Sequence, residues 1–219
     1  MWLNFSAFNP AALQVGAGGR CAITGGELTD ELTREPQNYV VLPDQPWLDG
    51  FKTADDEVRQ FVAVSMGSGL TVEQQLTGAE SVGGLQLQVR FLTPEALKRW
   101  RAANTRSDDA DFVLADDFSC QPVMFYCESV AMGLGAGGRI DQEIYEDDFE
   151  ESDWQTLPSG KVWVHLVAAA DWPRFTGEPM PSSPITAEDY AEAGLPWFDY
   201  WNPTGVDVAT TPEMDRPSW

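Results

Sequence analysis

The chain has one imidazole, His165, so any serine or cysteine hydrolase mechanism at neutral pH would have to route its proton transfers through that residue. Cys127 and Glu128 are its conceivable partners. His165 nevertheless stands in an alternating run between Trp163 and Val167, where a packed, hydrogen-bonded core histidine is expected, and Cys127 is expected to be a buried, unreactive thiol. Carboxylates are the abundant reactive group. A pair about 5 to 10 Å apart, one neutral against an apolar wall and one ionised, would support glycoside hydrolysis. Glu73 with Glu143, and Asp171 with Asp199 beside Trp172 and Trp197, are the candidate pairs. The simpler reading leaves Glu73 and Glu143 on the solvent faces of amphipathic strands.

The acidic run after Tyr145 offers hard oxygen ligands, and Glu146, Asp147, Asp148 and Asp153 are the candidate set for Ca²⁺ or Mg²⁺. It lacks the D-x-D-x-D-G series of an EF-hand, so weak Ca²⁺ binding is the most it suggests and no cofactor is expected. Gly133-x-Gly135-x-x-Gly138 matches the dinucleotide fingerprint. That fingerprint needs a strand before it and a helix after it, whereas the residues from Arg139 to Tyr145 alternate like a strand; a glycine hairpin turn is the expectation. The nine tryptophans are a different kind of resource. Trp172, Trp197, Asp199, Trp201 and Trp219 set aromatic faces beside polar groups, as a protein interface or a carbohydrate platform does.

Thirty-five acidic residues face thirteen basic ones, giving a formal charge of -22 over 219 residues. Such a surface repels polyanions, so nucleic acid and anionic membrane are excluded as partners. It suits either a salt-rich surrounding or a cationic partner. No apolar run reaches the roughly eighteen residues needed to span a bilayer. The start, Met1-Trp2-Leu3-Asn4-Phe5, carries neither a basic region nor a cleavable apolar stretch, so a cytoplasmic location is expected. Cys21, Cys120 and Cys127 are odd in number and widely spaced, against a disulfide framework or a zinc site.

The elements that must position these residues read mainly as strands. Val58 to Ser65, then Leu70 to Leu76, then Leu85 to Phe91 have period two and predict an antiparallel meander, the last strand with Leu85, Leu87, Val89 and Phe91 inward and Gln86, Gln88 and Arg90 toward solvent. Thr93-Pro94-Glu95 predicts a helix start, with Ala96, Leu97, Trp100 and Ala103 as its buried stripe. A second hairpin is expected from Val123–Met132 and Ile140–Tyr145 around Gly133–Gly138. Val162 to Ala169 predicts a strand buried on both faces, and a short helix is expected near Thr186–Asp189. Gly16-Ala17-Gly18-Gly19-Arg20 recurs as Gly135-Ala136-Gly137-Gly138-Arg139, which is either a trace of duplication or a recurring glycine turn.

Several segments, Arg59-Gln60-Phe61-Val62-Ala63 with Thr71-Val72-Glu73 and Gly83-Gly84-Leu85-Gln86, then Gln142-Glu143-Ile144-Tyr145-Glu146-Asp147, and Gly194-Leu195-Pro196-Trp197-Phe198-Asp199-Tyr200, give the chain a family look. Together they resemble a group of uncharacterised microbial hypothetical proteins, and that resemblance implies no activity. The sequence therefore predicts a mainly β fold, α+β at most: an antiparallel sandwich or barrel-like pair of sheets with two short helices. One β-rich domain over 1–201 and an irregular tail over 202–219 are expected. The expected function is non-enzymatic interaction or assembly, with a protein partner or self-association. A carboxylate-dependent hydrolase or a carbohydrate-binding protein with a Trp/Asp-lined cleft is the alternative.

Overall fold

Antiparallel pairing organises the computed structural model, which describes residues 1–54, 57–104, 132–180 and 192. Its chain divides into two units, Met1–Val167 and Ala168–Trp219. The first unit holds β1 (Leu3–Asn4), β2 (Ala11–Ala17), β3 (Arg20–Cys21), β4 (Val40–Leu42), β5 (Trp47–Leu48), β6 (Gly50–Ala54) and β7 (Glu57–Ser65). Helix α1 (Val72–Thr77), β8 (Leu85–Phe91), α2 (Pro94–Ala103), β9 (Met132–Ile140) and β10 (Gly160–Val164) follow. The described part of the second unit contains α3 (Trp172–Thr176).

One sheet runs β10-β8-β2-β3, with β4 also on β2; a second runs β6-β7-β9; β1 pairs β5. Two single hydrogen bonds bring the larger sheets edge to edge. Lys52 N–H donates to Ala22 O at 2.8 Å beside β3, and Met132 N–H donates to Leu166 O at 3.0 Å beyond β10. The result is a barrel-like wrap with its apolar faces inward. Leu13 and Val15 from β2, Leu85 from β8, Phe51 from β6, Phe61 from β7 and Leu134 from β9 share one core.

β2 is buried along its whole length because its other face is covered too. Ala12 packs there with Tyr39, Val41, Leu92, Ala96 and Trp154, which docks α2 on the outside of the barrel. Helix α2 begins where local chemistry demands: Thr93 Oγ1 accepts from Ala96 N–H and Pro94 occupies the first turn. Ala96 is buried and Leu97 and Trp100 pack against that second cluster, but Ala103 is exposed.

Several expectations are corrected. Residues 70–76 are not a strand, since α1 forms there. Thr71 Oγ1 accepts from Gln74 N–H at 3.1 Å, and Gly78 ends the helix with φ 76°, its N–H donating to Gln74 O. The short alternation of Leu70, Val72 and Leu76 lost to a local cap and a glycine stop. No three-strand meander results: β7 pairs β6 and β9, while β8 pairs β2 and β10.

Gly133–Gly138 is strand rather than turn. A Cβ on Gly133 would lie 2.7 Å from Thr71 Cγ2, and one on Gly135 would lie 2.9 Å from Leu70 O, so these glycines let the entry to α1 lie against the β9 backbone. The pentapeptide Gly16–Arg20, identical to Gly135–Arg139, does make a turn, with Gly18 and Gly19 at φ 55° and 76°. Tertiary context thus splits one peptide into two conformations, and no common structure supports duplication. Ile140 ends β9 and Asp141–Asp148 follow without regular structure. The proposed partner run before residue 132 and the helix near Thr186 lie outside the described residues.

β10 is shorter than expected and is not buried on both faces; Trp163 is 56% exposed and His165 is exposed rather than core. The polar face of β8 is buried instead of solvated. Gln14 Nε2, on the neighbouring strand, donates to Thr29 O and Glu31 O, and Arg90 Nη1 donates to Gln155 O at 3.0 Å. Loop backbone supplies the acceptors that water would otherwise provide.

Candidate functional site

Between Asp141 and Asp148 the chain is in no strand ladder, and glutamine side chains take that role. Gln142 Oε1 accepts from the N–H groups of Asp49 and Gly50, both at 2.9 Å. Gln45, fully buried, donates through Nε2 to Glu143 O at 2.9 Å and accepts at Oε1 from Tyr145 N–H at 2.8 Å. Gln37 Nε2 donates to Tyr145 O at 2.9 Å. A primary amide offers the same donor and acceptor as a peptide group, so these three residues fasten 142–145 as a strand would.

The segment ends on Asp147, whose side chain is wholly buried. Its Oδ2 accepts from Tyr39 Oη at 2.6 Å and from Trp154 Nε1 at 2.8 Å, its Oδ1 accepts from Phe149 N–H at 2.9 Å, and Arg34 Nη2 lies 3.8 Å away. Burial, followed by the bond to the Asp147 carboxylate and its negative charge, pushes the Tyr39 hydroxyl well above the ordinary tyrosine value of 10. Asp153 pairs with Arg99 through Oδ1 and accepts Glu150 N–H at Oδ2. Glu146 and Asp148 are exposed. The four nominated metal ligands therefore do not converge: Asp147 and Asp153 are engaged by protein donors, and among the described residues no three His, Cys, Asp or Glu side chains form a metal-sized group.

Glu73 is likewise an internal pin. It lies in α1, is buried, and accepts at Oε1 from Ser81 N–H, Ser81 Oγ and Val82 N–H and at Oε2 from Gly83 N–H. Burial alone would raise its pKa, but the backbone donors of Gly83, Ser81 and Val82 and the Ser81 hydroxyl outweigh it and hold the carboxyl below the ordinary glutamate value. Glu80 adds a second stitch, accepting from Thr71 Oγ1 and Gly67 N–H.

Glu143 is exposed and lines a groove of about 620 Å³ that does not include Glu73, so the first carboxylate pair is not brought together there. The apolar lining of this groove is Ile23, Val58, Ile140 and Ile144. Its charged lining is Glu57, Asp141 and Glu143 against Lys52, with Arg59 ion-paired to Glu57 at 2.5 Å. Among the described residues no aromatic side chain lines it. Gln142 completes the wall, so the amide fastening described above also fixes the shape of the groove.

In the second unit Trp172 opens α3 and is partly buried, with Asp171 immediately before it. Trp197, Asp199, Trp201 and Trp219, with Cys127 and Glu128, lie outside the described residues. Cys21 is buried and directs its thiol to Asn38 O at 3.6 Å. Sequence reasoning missed Gln37, Gln45 and Gln142, since an amide that replaces a ladder bond carries no local pattern. It also missed Tyr39 and Trp154 as partners of Asp147, which lie 108 and seven residues from it. Among the described residues no helix is long and apolar enough to cross a membrane. No family model matches the chain, and no curated protein or solved structure is significantly similar to it.

Proposed function

We propose that the protein is a non-enzymatic interaction or assembly protein working through its outer surface, with a protein partner or a second copy as the bound species. The observation that carries this reading is the filled barrel: Val15, Leu48, Phe51 and Phe61 meet inside it, none more than 2% exposed. A small barrel either fills its interior with side chains or keeps a chamber for a ligand. Among the described residues this interior is packed with side chains, which directs the reading to the exterior. The deep carboxylates Glu73 and Asp147 are bonded by the fold's own donors, so they serve stability. The surplus charge of -22 favours a cationic counterpart in a cytoplasmic setting. In the sequence, Trp197, Trp201 and Trp219 supply the aromatic anchors that contacts of this kind use.

Size-exclusion chromatography with light scattering tests the assembly side, on the full chain and on a chain truncated after Tyr200. The expected result is a species heavier than a monomer that the truncation dissociates. Identical monomers at every salt concentration would remove self-assembly and leave only a heterologous partner.

A further inference from the structure

We infer that the groove beside β6, β7 and the end of β9 is a docking site for an extended, cationic peptide segment bearing branched aliphatic side chains. This rests on the reading of the chain as an interaction protein. Two properties of the groove select that occupant. Its apolar lining is aliphatic, from Ile23, Val58, Ile140 and Ile144, which suits valine or isoleucine side chains and gives a sugar or nucleobase nothing to stack on. Among the described residues its charged lining holds three carboxylates to one ammonium, Lys52; Glu57 is already paired with Arg59, which leaves Asp141 and Glu143 to face an occupant. Asp141 and Glu143 are exposed, and none of the four ion pairs between described residues includes them. The chain's total charge of -22 reinforces the same sign over the approach, so a basic segment is drawn in and an anionic one is repelled.

The site is also built before anything binds. Gln142 is held by two backbone N–H groups, and Gln45 grips Glu143 O and Tyr145 N–H, so the wall that presents Asp141 and Glu143 is fixed by four hydrogen bonds of 2.8 to 2.9 Å. A fixed wall lowers the ordering cost of binding. Five consecutive residues, 140–144, line the groove, a stretch that an extended peptide of comparable length can match.

The test uses the full chain and a fluorescein-labelled octapeptide alternating lysine and valine, with a glutamate–valine octapeptide and spermidine as controls, followed by fluorescence anisotropy at physiological salt. The lysine–valine peptide should bind, and Asp141→Asn with Glu143→Gln should weaken it about two- to thirtyfold, the range for removing two solvent-facing ion pairs. Neutralising two exposed carboxylates that do not line the groove, Glu95→Gln with Glu151→Gln, should change it by less than about twofold, because neither would form an ion pair with a peptide seated there. Amide shifts on binding should centre on Lys52, Val58, Ile140 and Gln142, and the same spectra confirm that each variant is folded. Equal losses from the two double variants, or displacement of the peptide by spermidine at matched charge, would mean diffuse attraction and overturn the inference. Absence of peptide binding overturns it as well; assembly seen by light scattering would then leave the broader interaction reading standing.

Discussion

Replacing Asp147 by asparagine tests whether the acidic run after Tyr145 is a structural device or a metal-binding one. The carboxylate accepts from three donors, Tyr39 Oη and Trp154 Nε1 at one oxygen and Phe149 N–H at the other. An amide has only one acceptor oxygen. With that oxygen toward Tyr39 and Trp154, the new NH₂ meets Phe149 N–H; reversed, it meets Trp154 Nε1–H, which cannot turn into an acceptor. Either orientation buries one donor against another, and the negative charge that Arg34 faces is lost as well. Leaving a buried donor unsatisfied costs about 1–3 kcal/mol, and Arg34 adds little because its side chain is partly in water, so Asp147→Asn should cost about 2–3 kcal/mol. Asp148→Asn, one residue on and exposed, should stay within about 0.5 kcal/mol. Urea denaturation checks this as a shift in midpoint at unchanged slope. The reasoning fails if Asp147→Asn is as stable as the parent, or if millimolar Ca²⁺ stabilises the parent and that gain disappears in the variant.

Acid should act through Glu73: its folded pKa lies below the unfolded value, so the unfolded chain takes up its proton first, and the stability Glu73 provides is present above the ordinary value of 4.5 and lost as pH falls through the folded one. Urea midpoints measured from neutral pH down to pH about 3 should therefore fall less steeply for Glu73→Gln than for the parent. Alkali should act through Tyr39, which keeps its proton in the folded state after unfolded tyrosine ionises near 10; stability should decline above that pH, and Tyr39→Phe should flatten the decline while tyrosinate absorbance loses one late-titrating group. Gly135→Ala should destabilise by about 1–3 kcal/mol, since its Cβ would sit 2.9 Å from Leu70 O, whereas Gly138→Ala meets nothing within 4 Å and should be tolerated; thermal unfolding of the pair reads the difference. Raising salt from a few millimolar should raise the melting temperature as self-repulsion of the -22 charge is screened, and a flat response would show that the charges are already compensated.

How far the fold was legible follows the range of the forces involved. Helix α2 was readable from Thr93, Pro94 and Glu95 because a cap is complete within four residues. The span of β8 was readable from its alternation, but the fate of its polar face was not, because Gln88 and Arg90 are buried and Arg90 finds its acceptors in the carbonyls of Gln155 and Thr156, distant in sequence. α1 carried its own signals in Thr71 and Gly78, which apolar alternation over too few residues outweighed. For the candidate sites, the acids were visible as residue types, yet which of them would be buried was not; Asp147 and Asp148 are neighbours with opposite environments.

Composition and local pattern by themselves determined the antiparallel β class, the α2 start and the strong negative charge. Those properties are sums over residues or contacts within one turn or strand. Tertiary structure alone decided that Gly16–Arg20 turns while Gly135–Arg139 extends, that Glu73 and Asp147 face inward, and that Asp141 and Glu143 border a groove. Each of those outcomes depends on a partner brought from elsewhere in the chain: Thr71 against Gly133, the backbone donors of 81–83 around Glu73, and Gln45 gripping 143–145 across about a hundred residues.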